Sequence, residues 1–421
     1  MKAILEKNIF SYFPVVICIL LFCIPVPLII AFEIYVIFFI VIFTIYRSYD
    51  KEFKLVIFIS ACFRFILIVV DESVMPILPE QTDSILYDTA ASQILDNCAN
   101  HLSLFYRVES VTNIRSYGFI ISLLYNVFGE YFIIPRIANA LLGILVAILV
   151  YKICFKLFND RKAAFISMNL VLFWPSILVF NSYALRDTLI SLLTFLMLHK
   201  LVLISLKEKI IKSIFYIILI LIIMFFFRSQ NVFLYFGIFT LFTIIILFRA
   251  NIKVANKIFL LLFMSIILLF IFYKLSPLII EVATYPFRAH PGRVEGGSAY
   301  LQNMVYNNYL DIFLYLPIRF FYFTFGPFLW NFKTMFQLLS AIEGIFIFIC
   351  FILFIKHFFK SHQKRLSNIE VFLFIFCMTG LFANAMIDSN FGTAIRHRID
   401  YIIIFFIFTG IYLKNFKIKI I

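Results

Sequence analysis

The sequence predicts an all-α fold, a polytopic transmembrane helical bundle of about 12 spans, on three observations. First, 64% of the 421 residues are hydrophobic and only 14% are charged, with a mean hydropathy of +1.05. Soluble domains carry about 25% charged residues, so this chain cannot cover itself in water. Second, the apolar residues come in runs of roughly 17–25 with polar flanks, the length a helix needs to cross a bilayer. Third, Lys and Arg concentrate in alternate loops, as the positive-inside rule requires of a multi-pass protein. Disorder, a secreted disulfide scaffold and a cytosolic enzyme are excluded together.

The elements follow in order. The chain begins MKAILEK and enters an apolar run, 9–46, too long for one helix; Pro25 and Pro27 divide it into two. No small-residue cleavage site follows, so the first span is expected to be retained. The polar turn 47–54 leads to a third span at 55–70. A long polar stretch, 71–131, forms the first outer loop. Within it 117–128 is apolar but only about 12 residues long, and reads as a helix lying on the membrane. Further spans fall near 132–155, 163–182, 188–206, 212–227, 231–248 and 258–275. A second large outer loop, 276–338, contains a segment that Pro317 and Arg319 mark as interfacial or re-entrant. The last spans fall near 339–356, 369–386 and 400–413, all within one integral membrane domain, 1–421.

The net charge of +14 sorts itself by loop. With the N-terminus inside, the inner loops are 1–8, 47–54, 152–162, 200–212, 249–257, 356–370 and 414–421. They hold 23 of the 36 Lys and Arg but six of the 22 acids, a net +17 against −3 elsewhere. The excess is therefore a topology signal that puts both termini in the cytoplasm, and scattered bases in short loops offer no surface for nucleic acid. The seven cysteines and six histidines show no metal or disulfide spacing, so neither a metal nor another cofactor is expected. Arg64, Glu33 and Glu343 lie in apolar runs near span ends and read as interfacial partners.

The remaining polar residues gather on the outer side. Asp83 and Tyr87, four apart, would share one helix face, with Asp88 beside them; a capping Asp in a solvated loop would look the same. Arg186 and Asp187 stand at the head of a span, where a helix cap with an interfacial Arg is the plain alternative. Carboxylates from two loops facing one cleft are what glycosyl transfer needs. Cations for a leaving phosphate are at hand on the same side. They are Arg228, then Arg288, His290 and Arg293, then Arg396, His397 and Arg398. Arg suits this role because its planar fork binds phosphate oxygens in pairs. The Arg396–Arg398 triplet could equally anchor at lipid headgroups.

Asp83-x-x-x-Tyr87 followed by an amphipathic stretch resembles the first outer loop of the GT-C superfamily of integral membrane glycosyltransferases. This superfamily includes the protein O-mannosyltransferases and the lipid A aminoarabinose transferase. Tyr183-Ala184-Leu185-Arg186-Asp187 resembles the start of their second outer loop. The Phe128-Gly129 helix end, Arg136, the inner Asn159-Asp160-Arg161-Lys162 and Phe173-Trp174-Pro175 follow in the same order, so the resemblance covers about residues 60–210. Ser84 departs from it, standing where many members carry a second acid. The resemblance implies a sugar donor linked through phosphate or pyrophosphate to a polyprenyl lipid, and a lipid-linked or glycan acceptor. It places Asp83 as candidate base with Asp88 as its rival, Asp187 as a carboxylate that positions the acceptor or supports the first loop, and Tyr87 and Arg186 among the substrate-binding residues.

The expected function is thus glycosyl transfer on the outer face of a bacterial cytoplasmic membrane, in cell-surface polysaccharide synthesis. A Wzy-type repeat-unit polymerase is the closest alternative, since it too needs about a dozen spans and outer arginines. A lipid-linked glycan flippase comes third, because it calls for charges along mid-membrane helices.

Overall fold

A computed structural model describes residues 26–78, 82–96, 112–249, 297–360 and 366–414. The expected spans before residue 26 and at 258–275 lie outside these residues, as do Arg288, His290 and Arg293. The described residues form fifteen helices, and their only β-type pairing is an isolated bridge between Ala299 and Asn390. Seven helices are long and apolar enough to cross a membrane, which makes this a multi-pass membrane protein.

Two compact units divide the chain: 1–144 with 181–185, and 145–180 with 186–421. In the first unit, α1 (Val26–Ile45) and α2 (Lys51–Ser73) pack through aromatic contacts, Tyr35 against Phe65 and Phe39 against Phe58. The next two helices, α3 (Thr82–Asp96) and α4 (Thr112–Phe128), form a close pair. Tyr87, Ala90, Ala91 and Ile94 are buried on α3, spaced three and four apart. Tyr117, Ile121 and Tyr125 recur every four residues on α4 and answer them. Gly118 makes the approach possible: a Cβ there would come within 2.9 Å of the Ala90 Cβ. The short apolar stretch expected at 117–128 is thus the core of a 17-residue amphipathic helix. The unit also takes the first part of α5 (Ile133–Phe158).

The second unit begins along α5 and continues through α6 (Arg161–Phe173), α7 (Pro175–Asn181), α8 (Arg186–Ser205), α9 (Ile210–Phe227) and α10 (Ser229–Arg249). It ends with α11 (Tyr309–Phe325), α12 (Met335–Lys360), α13 (Asn368–Ile387), α14 (Phe391–His397) and α15 (Ile399–Leu413). The caps are local. The Asp160 carboxylate accepts from the Ala163 N–H at 2.9 Å and receives Lys414 at 2.6 Å; both hold its carboxyl below the usual range. Asn308 with Asp311, and Ser367 with Glu370, form capping boxes that start α11 and α13.

Three expected spans come out differently. The run 163–182 is not one straight helix: α6 and α7 meet at a 58° bend. Pro175 causes it, because the residue before a proline is pushed out of helical geometry, and Trp174 is extended at ψ 122°. The last span is a helix of 15 residues, Ile399–Leu413, short for a full crossing. Ser229–Arg249 is helical over the expected span 231–248 but is not one of the seven. The described residues therefore supply seven spans, or eight if the bent pair is one.

Inside the second unit α15 is buried from Tyr401 to Gly410, and α6 lies against it. Gly410 permits this contact: a Cβ there would stand 2.2 Å from Ser167 Oγ and 2.4 Å from the Ala163 carbonyl. Overpacking of this kind costs about 1–3 kcal/mol. Gly410→Val should therefore lower the thermal unfolding midpoint of the detergent-purified protein; an unchanged midpoint would show that α6 and α15 do not meet so closely.

Candidate functional site

Buried arginines organise both units, and each does so partly through backbone carbonyls. In the first unit Arg136, from the first turn of α5, is 1% exposed and gathers the end of α2. Its Nη2 lies 2.6 Å from Asp71 Oδ2 and its Nη1 2.6 Å from Glu72 Oε2, while Nε donates to the Ser182 carbonyl at 2.9 Å. The guanidinium also lies over the Tyr183 ring, 4.9 Å from its centroid. Tyr183 donates its hydroxyl to Asp71 Oδ1 and accepts from the Leu78 N–H. Burial and then Asp71 raise that hydroxyl's pKa. Asn139 secures the same segment, donating to the Tyr183 and Leu185 carbonyls and accepting from Tyr117 Oη.

Around this centre stand further carboxylates. Asp88 accepts from the Tyr125 hydroxyl, whose pKa is pushed up by burial, then Asp88, with Glu130 and Glu72 adding to it. Asp71 is enclosed, whereas the Glu72 side chain is 37% exposed. Asp83 is half-buried in the first turn of α3, where the helix dipole favours a carboxylate. Tyr87 is buried with its ring edge-on to Tyr117, so it is held in the α3–α4 contact and does not face outward.

The second unit brings together Asp187, Arg228, Arg396 and His397. Each charge sits at the helix end that suits its sign. Asp187 is in the first turn of α8, Arg228 follows the last residue of α9, and Arg396 and His397 close α14. Arg228 Nη1 donates to Asp187 Oδ1 at 2.9 Å, and Arg396 Nε lies 3.2 Å from Asp187 Oδ2. Arg228 Nη2 is 2.7 Å from His397 Nε2, and His397 Nδ1 is 2.6 Å from Asp388 Oδ2. Burial above all lowers the His397 pKa to about 4, so the ring is neutral near pH 7. Arginine only donates, which makes Nε2 the acceptor and places the proton on Nδ1, toward Asp388. Ser191 donates to Asp400 beside these groups, and a cavity of about 20 Å³ runs among them, space for one water.

Two arginines expected at the substrate turn out to bind backbone. Arg398 is fully buried, its Nη1 donating to the carbonyls of Phe323, Thr324 and Gly326 at the C-terminal end of α11. Arg186 donates to the Phe227 carbonyl at the end of α9. Arg319, expected at the interface, is also buried, on the carbonyls of Ala385 and Asp388 and the Ser389 hydroxyl. Orphan carbonyls at helix ends are natural partners for such cations. Two of the three span-end charges are likewise interior: Arg64 is bonded to Ser60, and Glu343 accepts from the Ser176 N–H at 2.7 Å where α7 begins. An ordered bilayer-facing surface leaves such groups nothing to bind, whereas the protein interior supplies polar partners.

Sequence reasoning missed Asp71 and Glu72 as bonded members of these clusters, and it expected His397 as a cation where burial leaves the ring neutral near pH 7. The available signal was an acidic pair ending one apolar run with an arginine opening a later one. Asp83 and Asp187 belong to different units. Among the described residues no group of His, Cys, Asp and Glu is placed to hold a metal ion. No family model, curated protein or solved structure compared with this chain matches it.

Proposed function

We propose that this protein is an integral membrane glycosyltransferase of the outer face of a bacterial cytoplasmic membrane, using a polyprenyl-phosphate- or pyrophosphate-linked sugar for a cell-surface polysaccharide. The observation that carries this reading is the Arg228–Asp187–Arg396 cluster. Two guanidinium groups, each through one nitrogen, converge on one carboxylate whose side chain is 18% exposed. Arginine forks fit phosphate oxygens in the same way as carboxylate oxygens. With space for only one water, a donor phosphate enters by taking the forks over from Asp187.

In the reaction the acceptor hydroxyl oxygen forms a bond to the anomeric carbon. The bond from that carbon to the phosphate oxygen breaks, and the electron pair leaves with the phosphate. Arg228 and Arg396 stabilise the charge that grows there. The hydroxyl proton passes to Asp187, released from its partners, in this unit.

A flippase for the lipid-linked glycan is favoured by one different observation. The bent pair α6–α7, with Glu343 at the break, is the kind of discontinuous span that transporters use at a binding site. Gene deletion with analysis of lipid-linked precursors separates the readings. A glycan lacking one sugar supports a transferase that adds it. Complete single repeats on the outer leaflet indicate a repeat-unit polymerase, and repeats trapped on the inner leaflet indicate a flippase.

A further inference from the structure

The second unit contains a second, larger cavity, of about 440 Å³, within the range of small-molecule sites. Its walls include Tyr300, Tyr322, Phe391, Asn303, Asn331 and Lys333. None of the residues that line it is acidic.

The walls are fixed by backbone pairing. The Tyr300 N–H donates to the Ser389 carbonyl at 2.8 Å and the Phe391 N–H to the Ser298 carbonyl at 2.9 Å, on either side of the Ala299–Asn390 bridge. Ser298 Oγ donates to Asn390 Oδ1, and Tyr300 Oη to the Asp388 carbonyl. Three rings stack in sequence: Phe391 on Tyr300 at 4.6 Å and 26°, then Tyr300 on Tyr322 at 5.8 Å and 22°. On the other wall the Asn331 N–H is tied to the Phe328 carbonyl and the Lys333 N–H to Gln337 Oε1. A cavity held this way is formed before any ligand arrives.

Its chemistry is that of an aromatic surface beside amides, with the half-buried Tyr322 as its accessible ring and Tyr300 and Phe391 buried behind it. Asn331 Oδ1 is buried without a hydrogen-bond partner. An unmet acceptor of this kind costs about 1–3 kcal/mol, which a donor from a ligand would recover. A fatty chain could not supply that donor, and a nucleoside diphosphate would need more than the single cation, Lys333. A sugar ring supplies both halves of the match: hydroxyls for the amides, and an apolar C–H face for the rings. The single cation further admits an acidic sugar.

We propose that this cavity is a saccharide-binding site, which holds the glycan portion of the acceptor. The binding stands on the cavity itself, whereas the acceptor role rests on the transferase reading. Saturation-transfer NMR on the full-length protein in detergent, with cellobiose, lactose and N,N′-diacetylchitobiose as probes, tests it. At least one disaccharide should receive saturation from the wild-type protein. Asn331→Leu should weaken its affinity about fivefold, the worth of one hydrogen bond, and Tyr322→Leu, at a half-buried ring, should weaken it as well by removing an aromatic face. Arg228→Met should keep the disaccharide signal while losing transfer, which separates the two claims. If it keeps transfer too, the transferase assignment of Arg228 falls and the saccharide site stands. Absence of saturation on all three probes, or equal affinity in wild type and both variants, would overturn the proposal.

Discussion

Replacing Arg136 with Met is expected to unfold the first unit. The side chain is 1% exposed and is paired at 2.6 Å with Asp71, whose own side chain is fully enclosed. Removing one partner of a buried ion pair leaves an uncompensated charge, at a cost of about 3–5 kcal/mol. That is a large fraction of the ~5–15 kcal/mol that holds a domain together. Arg136→Lys should recover little of the loss. One ammonium cannot reach Asp71, Glu72 and the Ser182 carbonyl together, as the guanidinium does on three different nitrogens. Arg136→Met with Asp71→Asn should be more stable than Arg136→Met alone, since the stranded charge is gone. The measurement is thermal unfolding in detergent, read with protease protection of the α3–α4 pair. A wild-type midpoint for Arg136→Met would mean that Asp71 is not buried as a charge. This experiment concerns the fold of the unit and makes no claim about transfer.

The same residue shows what the sequence makes legible. Composition alone establishes a multi-pass helical protein, because no other arrangement hides this much apolar surface. The amphipathic pair α3–α4 is half visible: 117–128 is too short to cross, and the structure extends that stretch to Thr112–Phe128. The bend at Trp174–Pro175 was open to reading, since proline constrains the residue before it, yet the apolar run on both sides reads as one span. The arginines are a harder case. Arg398 and Arg396 are two residues apart and look equivalent as sequence. One lies among the carbonyls at the end of α11 and the other beside Asp187. That difference depends on carbonyls about 75 residues away in the chain, and local pattern carries no trace of them. The acidic pair Asp71–Glu72 suffers the same fate: next to an apolar run it looks like a solvated loop, until Arg136 and Tyr183 close over it.

On the proposed transferase reading, Arg228→Met and Arg396→Met should each lower kcat/KM for sugar transfer by about 10²–10³-fold. That is the worth of a group aimed at charge developing in a transition state. Asp187→Asn should fall as far, either as the lost base or because the forks lose the partner that sets them in place. The pattern across variants distinguishes a phosphate site from a merely structural ion pair. Arg228→Lys keeps the charge but not the paired donors; it breaks the geometry that now joins Asp187 and His397 through two different nitrogens. For a phosphate site, Arg228→Lys should retain part of the rate with a raised donor KM. The losses in Arg228→Met and Arg396→Met should also fall short of adding in the double variant, since both act on one leaving group. For a structural pair, stability would drop in Arg228→Met and Asp187→Asn alike while donor KM stayed constant. Near-normal transfer by Arg228→Met and Asp187→Asn, in protein that inserts normally, would remove this cluster from the reaction. An anion at the head of α8 and cations at the tails of α9 and α14 are each well placed with respect to their own dipoles, and the two readings part on donor KM and on how the losses combine.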